Sequence, residues 1–145
     1  MRLDYTTYAQ NATESLFDLS RTIHRGPLSA ELRELLAVQV SQLNRCAHCI
    51  EVHWQKALKL GVPEQKLRLL PAFREAGVYG DTELTALELG EAVTLLSQAG
   101  VSQELWDQVE LAFPSEELRL HLLYQIILMN SWNRLSVALA LAPPH

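Results

Sequence analysis

Residues 29–61 read SAELRELLAVQVSQLNRCAHCIEVHWQKALKLG, and this stretch decides the fold. Ser29 is a suitable helix N-cap, because its side-chain oxygen can accept a hydrogen bond from a backbone N–H of the first turn. Glu31 lies in that first turn and complements the helix dipole. A mostly apolar stripe then recurs at intervals of three and four residues: Leu32, Leu35, Leu36, Gln39, Val40 and Leu43. The pattern predicts a helix that begins just after Ser29.

The second half of the stretch predicts another helix. Asn44 and Arg45 indicate a short break, after which a helix begins near Cys46 and runs to Leu60. Gly61, followed two residues later by a proline, is typical of a helix end. Two consecutive helices are therefore predicted, with the cysteines at the start of the second.

The rest of the chain shows the same helical periodicity, and no alternating strand-like run is present. The sequence therefore predicts an all-α protein, a single compact domain of about six to seven helices over residues 1–145. Asp81 or Thr82 is the expected N-cap of one later helix, and Ser102 of the next. The further helices are expected over about residues 8–24, 63–70, 81–98, from 102 onward, and from the Pro-Ser-Glu-Glu segment at 114–117 to about 141.

Composition excludes some classes of function. The chain has 145 residues, 48% of them hydrophobic and 20% charged, with a net charge of −5. Nucleic acid is not an expected partner, because phosphate binding needs clustered lysines and arginines. The longest apolar stretches, such as residues 122–129, are too short to span a membrane. The first residues lack the apolar core of a signal peptide, so we expect a cytoplasmic protein with no membrane partner.

The chain has two cysteines, Cys46 and Cys49. In a reducing compartment, an isolated pair points to redox chemistry or a metal site rather than to a structural disulfide. On a helix, each residue advances by about 100°, so Cys46, Cys49 and His53 fall within an arc of about 60°. Cys49 and His53 form an i, i+4 pair that can touch. His48 is expected to point the other way.

A pair of thiols at a helix start suits redox chemistry, because the unpaired N–H groups there favour a thiolate. A thiolate that attacks a peroxide becomes a sulfenic acid, and a neighbouring thiol converts this to a disulfide. His53 can act as the base for Cys49. Two alternatives stay open: simple core cysteines, and a zinc site, although zinc usually needs four ligands and no second cysteine pair exists. We expect neither a metal nor a cofactor.

The element C-x-H-C-x-x-x-H at residues 46–53, with Glu34 twelve residues before its first cysteine, carries a resemblance. It resembles the alkylhydroperoxidase D-like (AhpD-like) branch of the carboxymuconolactone decarboxylase superfamily. The resemblance extends through the apolar helices to the segment at 130–134. It implies an AhpD-like helical fold and an antioxidant thiol peroxidase with peroxiredoxin activity.

The resemblance also implies a role for each residue of the motif. Cys49 corresponds to the thiol that attacks the peroxide. Cys46 corresponds to a more exposed partner that completes the disulfide and meets the reductant. Glu34 corresponds to a carboxylate that forms a proton relay with His53. His48 matches a second histidine with a supporting role.

The partners expected from this resemblance are a hydroperoxide substrate and a dithiol reductant, either a lipoyl-bearing or a thioredoxin-like protein. A homo-oligomer, a trimer or a hexamer, is also expected. Two other functions stay open. One is decarboxylation of a lactone of aromatic catabolism, although such decarboxylases generally lack the cysteine pair. The other is a non-catalytic redox-sensing protein.

Overall fold

The computed structural model describes residues 1–144, and His145, the last residue of the predicted domain, lies outside the described residues. Residues 1–144 form seven α-helices and one 3-10 turn, and they contain no strand, which confirms the all-α prediction. The helices are α1 (Gln10–His24), α2 (Ala30–Leu43), α3 (Ala47–Lys59), α4 (Glu64–Leu69), α5 (Asp81–Thr94), α6 (Gln103–Ala112) and α7 (Glu116–Ala138), with the 3-10 turn at Leu70–Ala72. Within this part of the chain, no helix combines the length and apolar character needed to cross a membrane.

Helix α2 lies at the centre of the molecule. Every residue from Leu32 to Ser41 is buried, and the helix packs against α3, α5 and α7. A helix that is surrounded in this way needs apolar side chains on all faces rather than on one stripe. Its start is as predicted, since the Leu32 N–H donates to the Ser29 hydroxyl at 3.3 Å. The helix is therefore a fixed scaffold for any side chain that it presents.

Two polar side chains buried along α2, Arg33 and Gln39, donate hydrogen bonds to neighbouring backbone carbonyls. The Arg33 guanidinium donates to the Leu28 carbonyl at 2.7 Å, and the Gln39 amide donates to the Leu87 carbonyl at 2.9 Å. Gly90 of α5 lies so close that a Cβ there would sit 2.6 Å from the Gln39 Oε1. Bonds of this kind offset the cost of burying polar groups, which is large when no partner is present.

Helices α1 and α5 differ in extent from the prediction. Helix α1 begins at Gln10 rather than near residue 8, because Ala9 adopts a left-handed conformation with φ 64°. Helix α5 begins after Gly80, whose N–H donates to the Glu83 carboxylate at 3.0 Å, so the predicted caps at residues 81 and 82 are wrong. The same helix ends at Thr94 rather than near residue 98. At its last residue, the Thr94 hydroxyl accepts a hydrogen bond from the Asn130 amide of α7.

Helix α7 ends at Ala138, three residues before the predicted end. Ala140 is left-handed with φ 54°, and the Leu141 N–H donates to the Ser136 carbonyl at 3.0 Å. This is a Schellman arrangement, in which the chain reverses and satisfies the last carbonyls of the helix. Glycine usually occupies such a left-handed position, so the alanine at residue 140 does not mark a helix end in the sequence.

The environment of Tyr79 predicts how the stability of the fold depends on alkaline pH. Its hydroxyl donates to the Lys66 carbonyl at 2.6 Å, and burial raises the pKa of Tyr79 to about 12 from an ordinary value of 10.0. The neutral phenol is thus favoured in the folded state. Its contribution to stability is full below pH 10 and is lost as the pH rises towards 12. We expect that the free energy of unfolding decreases less between pH 10 and pH 12 in Tyr79→Phe than in the natural protein.

Urea unfolding at pH 9 and pH 11 measures this effect. The control is Tyr8→Phe, because Tyr8 is 73% exposed. An alkaline loss of stability that is equal in the two variants would show that Tyr79 does not carry it.

Candidate active site

The two cysteines lie where α2 ends and α3 begins, and they are joined by a disulfide with a Cα–Cα distance of 5.3 Å. Arg45 is left-handed with φ 56°, and the Cys46 N–H donates to the Ser41 carbonyl at 2.9 Å, which closes α2 in a Schellman arrangement. Cys46 also caps the next helix, since its sulfur accepts the Cys49 N–H at 3.3 Å. The position of Cys46 is therefore determined by both helices at once.

A buried carboxylate and an imidazole lie beside the disulfide. The Oε2 atom of Glu34, on α2, is 2.6 Å from the Nδ1 atom of His53, on α3. Glu34 is only 4% exposed. A carboxylate accepts hydrogen bonds, so the Nδ1 of His53 carries the proton and its Nε2 is left for proton exchange. Glu34 and His53 form a carboxylate–imidazole pair of the kind used in general acid–base chemistry.

One cleft, with a volume of about 200 Å³, joins these groups. Its lining includes Cys49, His53 and Glu34, whereas Cys46 does not contribute to it. Helices α1, α3 and α7 supply most of the walls. The structure thus brings together Cys49, His53 and Glu34, which the sequence singled out. Of the two cysteines, it is the second that faces the cleft.

The expected exposure of Cys46 is wrong. Cys46 is 2% exposed and Cys49 is 4% exposed, so the first cysteine is not the more accessible one. The reason is local geometry. Because Cys46 ends α2 and caps α3, its side chain is held between the two helices, while Cys49 lies one turn further along and faces the cleft.

The expected orientation of His48 is also wrong. His48 lines the same cleft as Cys49, and its Nδ1 donates to the Ala142 carbonyl at 2.7 Å. The cleft extends over a wider face of α3 than the arc of Cys49 and His53, because Val52 and Lys56 line it too. The hydrogen bond attaches the segment after α7 to the start of α3. A supporting role for His48 stays a prediction.

Several residues of the cleft were missed by the sequence analysis. Trp132 packs against Phe17 and Tyr5, with ring centroids 5.0 and 6.3 Å apart respectively. His24, at the end of α1, lines the cleft as well. Burial, and then the positive charge of Arg33, lower the pKa of His24. No local pattern marks these residues, since they meet only when α1 and the residues before it fold against α7.

A network of asparagines supports the junction that carries the cysteines. The Asn44 amide donates to the Asn130 Oδ1 at 3.0 Å, and Asn130 in turn donates to Thr94. Asn133 is completely buried, and its side chain is hydrogen-bonded to the Ser41 hydroxyl at 3.0 Å. The backbone carbonyl of Ser41 holds the N–H of the first cysteine. These α7 residues thus support the junction between α2 and α3 at which the disulfide lies.

Asn133→Ala is expected to lower the free energy of unfolding by about 1–3 kcal/mol, because it leaves buried polar partners without hydrogen bonds. Urea denaturation measures the loss. The matched control is Ser131→Ala on the same helix, since the Ser131 hydroxyl donates to the Ile127 carbonyl of its own helix. If both variants lose the same small amount, the network does not support the junction.

The fold and the cleft define a small helical protein that carries a CxxC disulfide beside a buried carboxylate–imidazole pair. The chain belongs to the carboxymuconolactone decarboxylase family, whose model matches residues 9–92. This family includes enzymes. The family resemblance expected from the motif at 46–53 is thereby confirmed.

Relatives of similar length share the sequence or the fold. The uncharacterized protein YdfG of Bacillus subtilis (strain 168) is 35% identical over 138 residues, which cover 95% of this chain and 93% of that protein. A crystal structure of a protein of unknown function from Agrobacterium tumefaciens, for which an antioxidant-defence role of the AhpD kind has been suggested, superposes with a TM-score of 0.94. It is 25% identical, and the match covers 99% of this chain and 98% of that chain. The AhpD-like fold is therefore confirmed.

The debrominase Bmp8 has the same fold. Its apo structure superposes with a TM-score of 0.81 at 21% identity, and the match covers 94% of this chain and 74% of the debrominase. At this level of identity the likeness concerns the fold alone.

Proposed function

We propose that the protein is a thiol-dependent peroxidase that reduces hydroperoxides with Cys49 and Cys46. One observation carries the proposal: Cys49, already joined to Cys46 by a disulfide, lines the same cleft as the Glu34–His53 pair. A sulfur nucleophile, a resolving thiol and a proton acceptor are the groups that peroxide reduction requires.

The first step begins from the reduced protein. His53 accepts the proton of the Cys49 thiol, and the thiolate attacks the terminal oxygen of the hydroperoxide ROOH. The O–O bond breaks, a sulfenic acid forms on Cys49, and the departing alkoxide takes a proton from His53 to become the alcohol ROH. Glu34 stabilises the imidazolium that exists between these two proton transfers.

The second step produces the disulfide. The Cys46 thiolate attacks the sulfenic acid sulfur of Cys49, an S–S bond forms, and the hydroxyl leaves as water after it takes up a proton. The product is the disulfide of the structure. The N–H of Cys49 donates to the Cys46 sulfur, and in the reduced protein this contact favours the resolving thiolate.

A dithiol then reduces the disulfide by thiol–disulfide exchange and becomes a disulfide itself, so that ROOH and a dithiol yield ROH, water and an oxidised donor. Both cysteines are almost completely buried. A narrow arm that enters the cleft can reach the Cys49 sulfur more easily than the surface of a folded domain can. Burial therefore favours a lipoyl-bearing donor over a thioredoxin-like one.

Association with further copies of the chain remains part of the proposal. Helix α7 exposes several large apolar side chains, which would be covered in the trimer or hexamer that the family resemblance implies: Leu120 at 54%, Tyr124 at 49% and Ile127 at 46%. Exposed apolar patches on small proteins often mark such contacts.

A steady-state assay tests the function. The reduced protein is incubated with cumene hydroperoxide and dihydrolipoamide, and the peroxide that remains is measured over time. Many turnovers per protein molecule, dependent on the dithiol, support a peroxidase. Oxidation of the cysteines without repeated turnover would instead indicate a redox sensor. Loss of carboxylate from carboxymuconolactone, with no peroxide consumed, would indicate a decarboxylase.

A further inference from the structure

One wall of the cleft is apolar and rich in aromatic side chains. Trp132 packs against both Phe17 and Tyr5, and it is only partly buried. Leu128 and Met129, which are 3% and 2% exposed, complete the wall from α7. The apolar part of a binding cleft holds the apolar body of a small molecule, and its polar groups fix the orientation. This wall therefore suits a hydrocarbon body, and an aromatic ring above all.

The lining of the cleft also includes a lysine. Lys56 lines the cleft one turn beyond His53. Among residues 1–144, no carboxylate lies within ion-pairing distance of its ammonium group. The carboxylate of the cleft, Glu34, is hydrogen-bonded to His53. Within the described residues, Lys56 is thus an exposed cation that forms no ion pair and lines a small cleft, where a charge of one sign attracts a ligand of the other.

We propose that the cleft selects hydroperoxides whose apolar, preferably aromatic, body carries a carboxylate, and that Lys56 binds this carboxylate. The hydroperoxide group is assigned on the basis of the proposed peroxidase function. The apolar body and the carboxylate are assigned on the walls of the cleft alone. In this arrangement the body lies against Trp132 and the peroxide faces Cys49.

His24 reports on an anion bound in this position. The groups that act on its charge are, besides burial, the cations Arg33 and Lys56, the carboxylate Glu34 and the imidazole of His53. A carboxylate bound at Lys56 adds a negative charge beside the imidazole of His24. It is expected to raise the pKa of His24 towards the ordinary value, and NMR titration of this ring with and without ligand measures the change.

The test uses two unreactive probes that share one apolar body and differ in the head group, the anionic 4-isopropylbenzoate and the neutral 4-isopropylbenzamide. Binding to the disulfide form is followed by NMR on the indole of Trp132. The benzoate is expected to bind about fivefold more tightly than the amide, as an exposed ion pair allows. Lys56→Met is expected to remove the difference. The control is Lys59→Met, because Lys59 lies on the same helix but outside the cleft and should leave the difference unchanged.

Equal binding of both probes to the natural protein would overturn the proposal, and so would a preference for the benzoate that survives in Lys56→Met. Turnover of cumene hydroperoxide and of its para-carboxylated form separates this inference from the proposed function. If the benzoate preference holds while neither peroxide is reduced, the peroxidase assignment fails and the anion preference stands. If both peroxides are reduced with equal kcat/KM and the probes bind equally, the anion preference fails and the peroxidase assignment stands.

Discussion

Cys49→Ser is expected to abolish peroxide reduction, with kcat/KM lower by about 10³-fold or more, as when an enzyme loses its nucleophile. Cys49 is the cysteine that lines the cleft, where its sulfur shares space with the Glu34–His53 pair. A serine hydroxyl has nearly the same size, but it is far less acidic than a thiol and does not accept an oxygen atom from a peroxide. The assay with cumene hydroperoxide and dihydrolipoamide measures the loss.

The matched variant is Cys46→Ser, which should also stop repeated turnover but for a different reason. In the absence of a donor, peroxide still oxidises Cys49 once, and the sulfenic acid then persists because the variant holds no second thiol that resolves it. Trapping with dimedone, followed by peptide mass spectrometry, should locate the adduct on Cys49. The opposite outcome, in which Cys49→Ser traps a sulfenic acid on Cys46, would reverse the roles. That outcome would fit the hydrogen bond that the Cys49 N–H donates to the Cys46 sulfur.

Glu34→Gln is expected to lower kcat by about 10²-fold while the protein stays folded, which is the size of effect that a positioned acid–base group supplies. The carboxylate oxygen lies 2.6 Å from the Nδ1 of His53 and fixes the proton there. A glutamine amide can donate to Nδ1 instead, which moves the proton to Nε2 and removes the acceptor that the Cys49 thiol needs.

The control for this variant is Glu31→Gln on the same helix, where the side chain is exposed in the first turn. The same peroxidase assay, with circular dichroism to confirm folding, compares the two. If Glu34→Gln retains as much activity as Glu31→Gln, the carboxylate has no part in proton transfer.

The helix starts were predictable where capping is a local matter. Ser29 and Ser102, the predicted caps, each accept a hydrogen bond from the N–H three residues on. Ser115 does the same in the Pro-Ser-Glu-Glu segment, where a helix start was predicted. Two helix ends were not predictable. Helix α5 stops where Thr94 meets Asn130, a contact between distant parts of the chain, and α7 stops at a left-handed alanine that the sequence does not mark.

The candidate site divides in the same way. The proximity of Cys46 and Cys49 follows from helix geometry, because the residues lie within one turn. Glu34 was predicted as a site residue from the family resemblance alone. Its burial depends on how α2 packs against α3 and not on its neighbours in sequence. His24 and Trp132 come from helices that meet only in the folded protein. The prediction that Cys46 is the more exposed cysteine was wrong for a related reason, because two helices together determine its position.

A single-turnover measurement tests the central claim most directly. The fully reduced protein is mixed with one equivalent of cumene hydroperoxide, without any donor, and both the alcohol and the protein thiols are quantified. The account predicts one equivalent of alcohol and complete conversion of Cys46 and Cys49 to the disulfide. Unreacted peroxide beside two free thiols would contradict it.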